Sequence, residues 1–171
     1  LADYGYREVG QEYLQNVLNT DKKLDAYDSG RIYYYLGDYQ KAYLALEEAK
    51  GKGGVDSYLY LGKAYAATGD YNYASSVYSN YLSKQGPDAE IYNQLGLCEL
   101  AKKDYQKALE AFQAGKQIEG NSLMQTLSFN EIVAYEYLQD YQKAAVLLKA
   151  YLQNYPDDQT AIREQQFLST R

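Results

Sequence analysis

Three places in the chain combine residue types that could do chemistry. The first is Gly51-Lys52-Gly53-Gly54, where glycines around a lysine could fold backbone N–H groups about a phosphate. A phosphate loop continues into Gly-Lys-Ser/Thr and is framed by a strand and an immediate helix. That pattern is absent, and the segment reads as a flexible link between two helical stretches. The second is a possible carboxylate pair, Glu99 and Glu131, each standing at an otherwise apolar helical position. General acid–base work needs a cleft around such a pair. The expectation is instead that each accepts a tyrosine hydroxyl bond or reaches solvent. The third is Cys98, between Leu97 and Glu99, which reads as a small packing residue. Composition closes most other routes: the chain has no His, no Trp and one Cys. A Ser-His-Asp triad, a Cys-His pair and a histidine-bearing zinc site are therefore impossible. The carboxylates lack the clustering of a calcium loop. No enzyme activity, metal or cofactor is expected.

Charge and hydropathy narrow the partners. Of 171 residues, 17 are Lys or Arg and 23 Asp or Glu, a formal charge of −6. Residues 1–86 hold 9 basic and 11 acidic groups and residues 87–171 hold 8 and 12, so neither half is a patch for nucleic acid. The longest aliphatic run, Ala144-Ala145-Val146-Leu147-Leu148, is far too short to span a membrane. A lone cysteine cannot form an intramolecular disulfide, which leaves the redox compartment open. The chain opens on Leu1 with no visible leader, as a mature or trimmed fragment would. Its 23 tyrosines against 3 phenylalanines suit a structure whose packing surfaces lie close to solvent, since a phenol has an apolar body and a wet tip.

The elements that position these residues come from an internal repeat. Gly37-Asp38-Tyr39-Gln40-Lys41-Ala42 returns as Gly69-Asp70-Tyr71-Asn72-Tyr73-Ala74, as Lys103-Asp104-Tyr105-Gln106-Lys107-Ala108 and as Gln139-Asp140-Tyr141-Gln142-Lys143-Ala144. The Asp-Tyr pairs start at 38, 70, 104 and 140, spacings of 32, 34 and 36 residues. Helical stripes flank each copy: Tyr58, Leu61 and Tyr65 before the second, Ala74, Tyr78 and Tyr81 after it. Gly37 and Gly69 can end one helix in the left-handed conformation, and the four aspartates can cap the next. Gly30, Gly62 and Gly96 on first helices, with Ala42, Ala74, Ala108 and Ala144 on second helices, are small where the two must cross. The unit is a helical hairpin.

Tyr58-x2-Leu61-Gly62-x2-Tyr65 followed by Ala74-x3-Tyr78 resembles the tetratricopeptide repeat, with Tyr58 in place of its Trp. Tyr92-x2-Leu95-Gly96 with Ala108-x3-Phe112, and Ala144-x3-Leu148 with Tyr151 and Pro156, resemble it too. The likeness covers Leu24 to Asp158. Copy four departs with Glu131-Ile132 for Leu-Gly and copy three with Glu99 for Tyr. Lys103 and Gln139 replace the helix-ending glycine, so altered packing is expected in these two copies. The resemblance implies an all-α, right-handed superhelical solenoid of about ten helices in one domain. Its parts would be a partial repeat at 1–22, repeats at 23–54, 55–88, 89–124 and 125–158, and a capping helix at 159–171. Within the first part, Tyr6, Val9, Tyr13 and Val17 with Leu14 and Leu18 form a 3–4 spaced apolar stripe. In the last, Ala161, Ile162, Gln165, Phe167 and Leu168 form a weaker one.

In that family the concave face, lined by first helices, binds partners. The stripe beside the packing residues, expected to face the groove, is Tyr27, Arg31 and Tyr34; Leu59, Lys63 and Ala66; Asn93, Leu97 and Leu100; Phe129, Val133 and Glu136. Arg31, Lys63 and Asn93 echo a carboxylate-gripping subclass, but Tyr27, Leu59 and Leu97 occupy the companion places. The lining favours a protein or peptide segment anchored by apolar side chains, with Arg31 and Lys63 orienting an acidic group. Self-association, or a groove filled by the C-terminal helix, is the competing expectation. Carbohydrate recognition by tyrosine rings is the alternative function. The Tyr/Gln/Asn-rich style also resembles repeat ectodomains of bacterial envelope lipoproteins.

Overall fold

The four Asp-Tyr junctions fold alike, although two lack the glycine that the turn favours. In the computed structural model, which describes residues 2–20, 23–52 and 54–170 and side chains from Arg7 onward, Gly37 and Gly69 are left-handed at φ 81° and 85°. Lys103 and Gln139 adopt the same region at 65° and 62°. At each junction the aspartate N–H reaches back to the carbonyl five residues earlier, on Tyr33, Tyr65, Glu99 and Tyr135, at 2.9–3.0 Å. Each aspartate carboxylate then accepts from the N–H three residues on, those of Lys41, Tyr73, Lys107 and Lys143. Backbone and cap thus specify the turn, and the two non-glycine residues bear its strain. The expected altered geometry at these two copies does not occur at the turn.

The described residues form ten helices and no strand. They are α1 (Ala2–Thr20), α2 (Ala26–Leu36), α3 (Tyr39–Glu48), α4 (Gly54–Ala67), α5 (Tyr71–Gln85), α6 (Ala89–Ala101), α7 (Tyr105–Lys116), α8 (Met124–Tyr137), α9 (Tyr141–Asn154) and α10 (Gln159–Leu168). They divide into two compact units, Leu1–Tyr81 and Leu82–Arg171.

In unit 1, α2 pairs with α3, and α4 with α5. The close crossings rest on glycine. A Cβ on Gly30 would lie 2.5 Å from Leu46, and one on Gly62 would lie 2.2 Å from the Tyr78 ring. Ala42 and Ala74 are fully buried beside them. Tyrosine packs as its chemistry suggests: Tyr65 lies between Tyr43 and Tyr73, with centroids 4.5 and 4.3 Å away, and its hydroxyl donates to Glu47. The buried Tyr78 hydroxyl donates to the Leu59 carbonyl. α1 packs on α2, yet its stripe is only half right. Leu14, Val17 and Leu18 are half-buried, whereas Val9 and Tyr13 are 66% and 68% exposed; Tyr6 lies outside the described side chains. A single neighbouring helix covers a narrower arc than the stripe assumed.

Unit 2 repeats the design through α6–α7 and α8–α9, closed by α10. A Gly96 Cβ would sit 2.3 Å from Phe112, and Phe112 packs with Ala108, Leu109, Leu127 and Ala134. In the fourth copy Ile132 replaces the glycine opposite Leu148 instead of an aromatic ring, and both are buried. Ala161 and Leu168 of α10 join the Ile132, Leu148 and Tyr151 cluster. Phe167 of the same helix is 40% exposed. The α10 cap, Asp158, accepts from the N–H groups of Thr160 and Ala161 and from the Tyr151 hydroxyl at 2.6 Å.

Candidate functional site

The first-helix stripes differ between the two units. In unit 1, Arg31 of α2 is held between two phenol rings, its Cζ 5.2 Å from the centroids of both Tyr27 and Tyr60. Tyr34 lies against Tyr60 at 5.5 Å, and the Tyr35 and Tyr60 hydroxyls are 2.6 Å apart. Lys63 of α4 reaches the same Tyr60 ring at 6.0 Å. Four phenols thus surround two cations, with Asp56 accepting from Tyr27 and Asp28 standing 3.9 Å from Arg31. The guanidinium loses hydration here, but Tyr27 and Tyr60 outweigh that loss and hold it more firmly protonated than usual. Burial raises the Tyr27 and Tyr34 hydroxyls above the ordinary phenol value. For Tyr35 the Tyr60 hydrogen bond is the main cause of the same rise. These phenols stay neutral donors at physiological pH. A planar cation pre-set between aromatic faces suits an acidic group, because little side-chain freedom remains to be lost on binding.

Leu59 does not join this cluster. It is only 8% exposed, beneath the α4–α5 packing. The Tyr78 ring, which occupies the space at Gly62 and bonds the Leu59 carbonyl, closes that side of α4. Tyr35 and Tyr60, by contrast, belong to the cluster and were not among the expected stripe residues. Each stands one position beyond an expected residue, about 100° around the helix, within the tyrosine-rich runs Tyr33-Tyr34-Tyr35 and Tyr58-Leu59-Tyr60, so a stripe drawn by spacing alone passes them by.

In unit 2 the stripe is apolar and partly consumed by packing. Asn93 is 5% exposed and accepts from Asn130 at 2.9 Å, an amide pair joining α6 to α8. Phe129 turns toward α9, its ring 5.7 Å from Tyr151, and packs against the core cluster there. Val133 is half-buried, while Leu97 stays 40% exposed. Leu97 and Val133 are therefore the expected apolar residues that hairpin packing leaves most available, and Leu59, Asn93 and Phe129 are largely spent on the interior.

The other chemical groups resolve as structural parts. Glu131 is buried and accepts from Lys116 at 2.6 Å and from Gln113 at 2.9 Å; Glu99 pairs with Lys102 at 2.8 Å. In place of the expected tyrosine hydroxyl or solvent, the partner is an ammonium in both cases, because a buried carboxylate needs a charged donor more than a phenol. Cys98 is buried, and its thiol is pushed up to about 12 by that burial and by Glu99. A helix does begin at Gly54, contrary to the expected framing of the glycine segment. Ser57 there donates to the Gly54 carbonyl and accepts from the Gly51 N–H, and Gly53 lies outside the described residues. Among the described residues no helix is long and apolar enough to cross a membrane, and no group of acidic or sulfur side chains has the arrangement of a metal site.

Known proteins carry the same design. Residues 59–122 and residues 129–158 each match a family model described as Tetratricopeptide repeat. Tetratricopeptide repeat protein 21B of Xenopus laevis is 28% identical over 153 residues, 88% of this chain but only 10% of the relative's length. The crystal structure of MamA protein superposes with a TM-score of 0.73 at 21% identity, covering 84% of this chain and 78% of that one. The second TPR domain of human RPAP3, solved in complex with an HSP70 peptide, superposes at 0.57 with 16% identity, covering 64% and 90%. With four hairpins closed by one turn, glycine-bearing crossings in the first three, and two segments matching the repeat itself, the chain belongs to the tetratricopeptide repeat family.

Proposed function

We propose that the chain is a non-catalytic scaffold that binds a peptide or protein segment along the first-helix stripes of its units. The observation that carries this reading is Leu97, an apolar side chain 40% exposed on the stripe of unit 2. Burying such a residue against a partner is favourable, and leaving it in water serves no packing purpose. In unit 1 the stacked Arg31, with Lys63 beside it, suits an acidic group of a partner. The solved likeness of a related repeat domain with a peptide supports the same mode.

The test compares wild type with a Leu97→Asp/Val133→Asp double variant as bait in native lysate, then measures the captured partner by calorimetry. Circular dichroism checks that the variant keeps its helices. Binding should weaken by at least about thirty-fold, the loss of a central hot spot of ~2 kcal/mol. Equal affinity of a folded variant would refute the reading.

A second reading, carbohydrate recognition, draws on the four tyrosines of unit 1. It predicts weak, salt-insensitive glycan binding that Tyr35→Ala abolishes and Leu97→Asp leaves untouched.

A further inference from the structure

One-electron oxidation of this chain falls chiefly on tyrosine. There are 23 tyrosines and no tryptophan, and the lone Cys98 is buried. The lone methionine, Met124, belongs to α8 of unit 2, and a thioether is oxidised by gaining an oxygen. Radical chemistry in unit 1 is therefore the chemistry of phenols.

Two of those phenols meet at the edge where such rings react. The hydroxyls of Tyr35 on α2 and Tyr60 on α4 are 2.6 Å apart, with ring centroids at 5.8 Å and planes crossed at 65°. A phenol that gives up an electron and its proton becomes a phenoxyl radical, whose unpaired electron is shared between the oxygen and the ortho carbons. Each ortho carbon is bonded to the carbon that carries the hydroxyl. Joined hydroxyls thus set an ortho edge of one ring beside that of the other. The two residues are 25 apart in sequence, and folding turns their encounter into a contact within one molecule. Tyr35 is 54% exposed, which gives an outside oxidant access, water a place to take the proton, and the ring room to turn. Tyr60 is half-buried and carries the Arg31 guanidinium over its face. Tyr34 stands 5.6 Å from Tyr35 and 5.5 Å from Tyr60, so an electron taken from Tyr34 is readily replaced by either.

We propose that Tyr35 and Tyr60 are an oxidative modification site, where a carbon–carbon bond between their ortho carbons staples α2 to α4 as a dityrosine. The co-reactant is an outside one-electron oxidant, a haem peroxidase turning over hydrogen peroxide. It takes one electron and one proton from each hydroxyl, and the two radicals pair their electrons in the new bond. The hydrogen on each bonded ortho carbon then moves to that ring's oxygen as aromaticity returns. The chain loses two hydrogen atoms in all, and one hydrogen peroxide becomes two waters. The bond closes a loop that contains α3, so the first two complete hairpins cannot part while it stands. The staple needs no partner and does not depend on the binding role proposed above.

The test treats the whole folded chain, dilute, with peroxidase and hydrogen peroxide, and digests it with trypsin. Cleavage after Arg31, Lys41, Lys52 and Lys63 puts the two tyrosines in peptides 32–41 and 53–63. Mass spectrometry should find these two joined, at the sum of their masses less two hydrogens, in chains that run as monomers under denaturing conditions. Fragmentation should place the link on Tyr35 and Tyr60. Tyr35→Phe and Tyr60→Phe keep the ring and lose the hydroxyl, and each should lower the yield of the joined pair at least about ten-fold. Circular dichroism checks that both variants keep their helices. Tyr13→Phe removes a more exposed phenol from α1 and should leave the yield unchanged. No joined pair in the oxidised wild type, a link placed on other tyrosines, or an undiminished yield in either hydroxyl variant overturns the proposal.

Discussion

Replacing Gly96 by alanine should destabilise unit 2, against the ordinary rule for helices. In an open helix the exchange gains up to about 1 kcal/mol, because glycine gives up more backbone freedom on folding. At Gly96 the added methyl would stand 2.3 Å from Phe112 Cε1 and 2.7 Å from Cδ1 and Cζ. Phe112 is fully buried among Ala108, Leu109, Leu127 and Ala134, so its ring must move by about 1 Å into filled space. Overpacking on that scale costs about 3 kcal/mol, the upper end of the usual range, and leaves a net loss near 2 kcal/mol. In urea, with a slope of about 2 kcal/mol/M, the midpoint followed by circular dichroism should fall by about 1 M. Gly10→Ala is the internal control: it lies in α1 with nothing within 4 Å of the new methyl, and it should be neutral or stabilising. Adding Phe112→Leu to Gly96→Ala should recover part of the loss, with a coupling energy above about 1 kcal/mol. A Gly96→Ala protein as stable as wild type, or one that Phe112→Leu fails to rescue, would refute the reasoning.

Lys103→Gly should raise the urea midpoint, because Lys103 is held at φ 65° by a turn that its Cβ opposes; the gain is about 1 kcal/mol. A fall in the midpoint would show that the lysine side chain contributes more than its backbone strain takes away. Cys98 should resist thiol reagents at neutral pH in the native state, since burial and Glu99 hold its thiol near 12, and should react only as the protein unfolds. Rapid labelling without unfolding would contradict that burial.

The parts of the fold legible in the sequence are those decided within a few residues. Asp38, Asp70, Asp104 and Asp140 cap their helices because an aspartate three positions before a free N–H needs no distant neighbour. Gly62 and Ala74 declare a close crossing because only small residues permit one. The stripe expected to stay open was less legible. Leu59, Asn93 and Phe129 lie on the angular arc that helical spacing assigns to an open face, yet Leu59 is buried, an amide on Asn130 bonds Asn93, and a ring at Tyr151 packs on Phe129. Spacing gives the direction in which a side chain leaves its helix; it does not say what stands there. Tyr60 illustrates the converse, a residue off the stripe whose length carries it to Arg31. Val9 and Tyr13 fell to the same ambiguity at a helix with a single described packing neighbour, α2.

The glycine crossings and the shared turn have a consequence for how the chain comes to be folded. Gly62 meets Tyr78 and Gly96 meets Phe112 inside their own hairpins, and the Tyr35–Tyr60 and Asn93–Asn130 bonds reach only to the next one. Closing such contacts requires short loops and little chain entropy. Each hairpin can therefore form as soon as its second helix exists, without waiting for the far end of the chain. During synthesis the first repeats would already be packed while the last are still being made. Damage in one hairpin would then spread by way of its immediate neighbours, and the protein should lose its structure in sections from a weakened point outward.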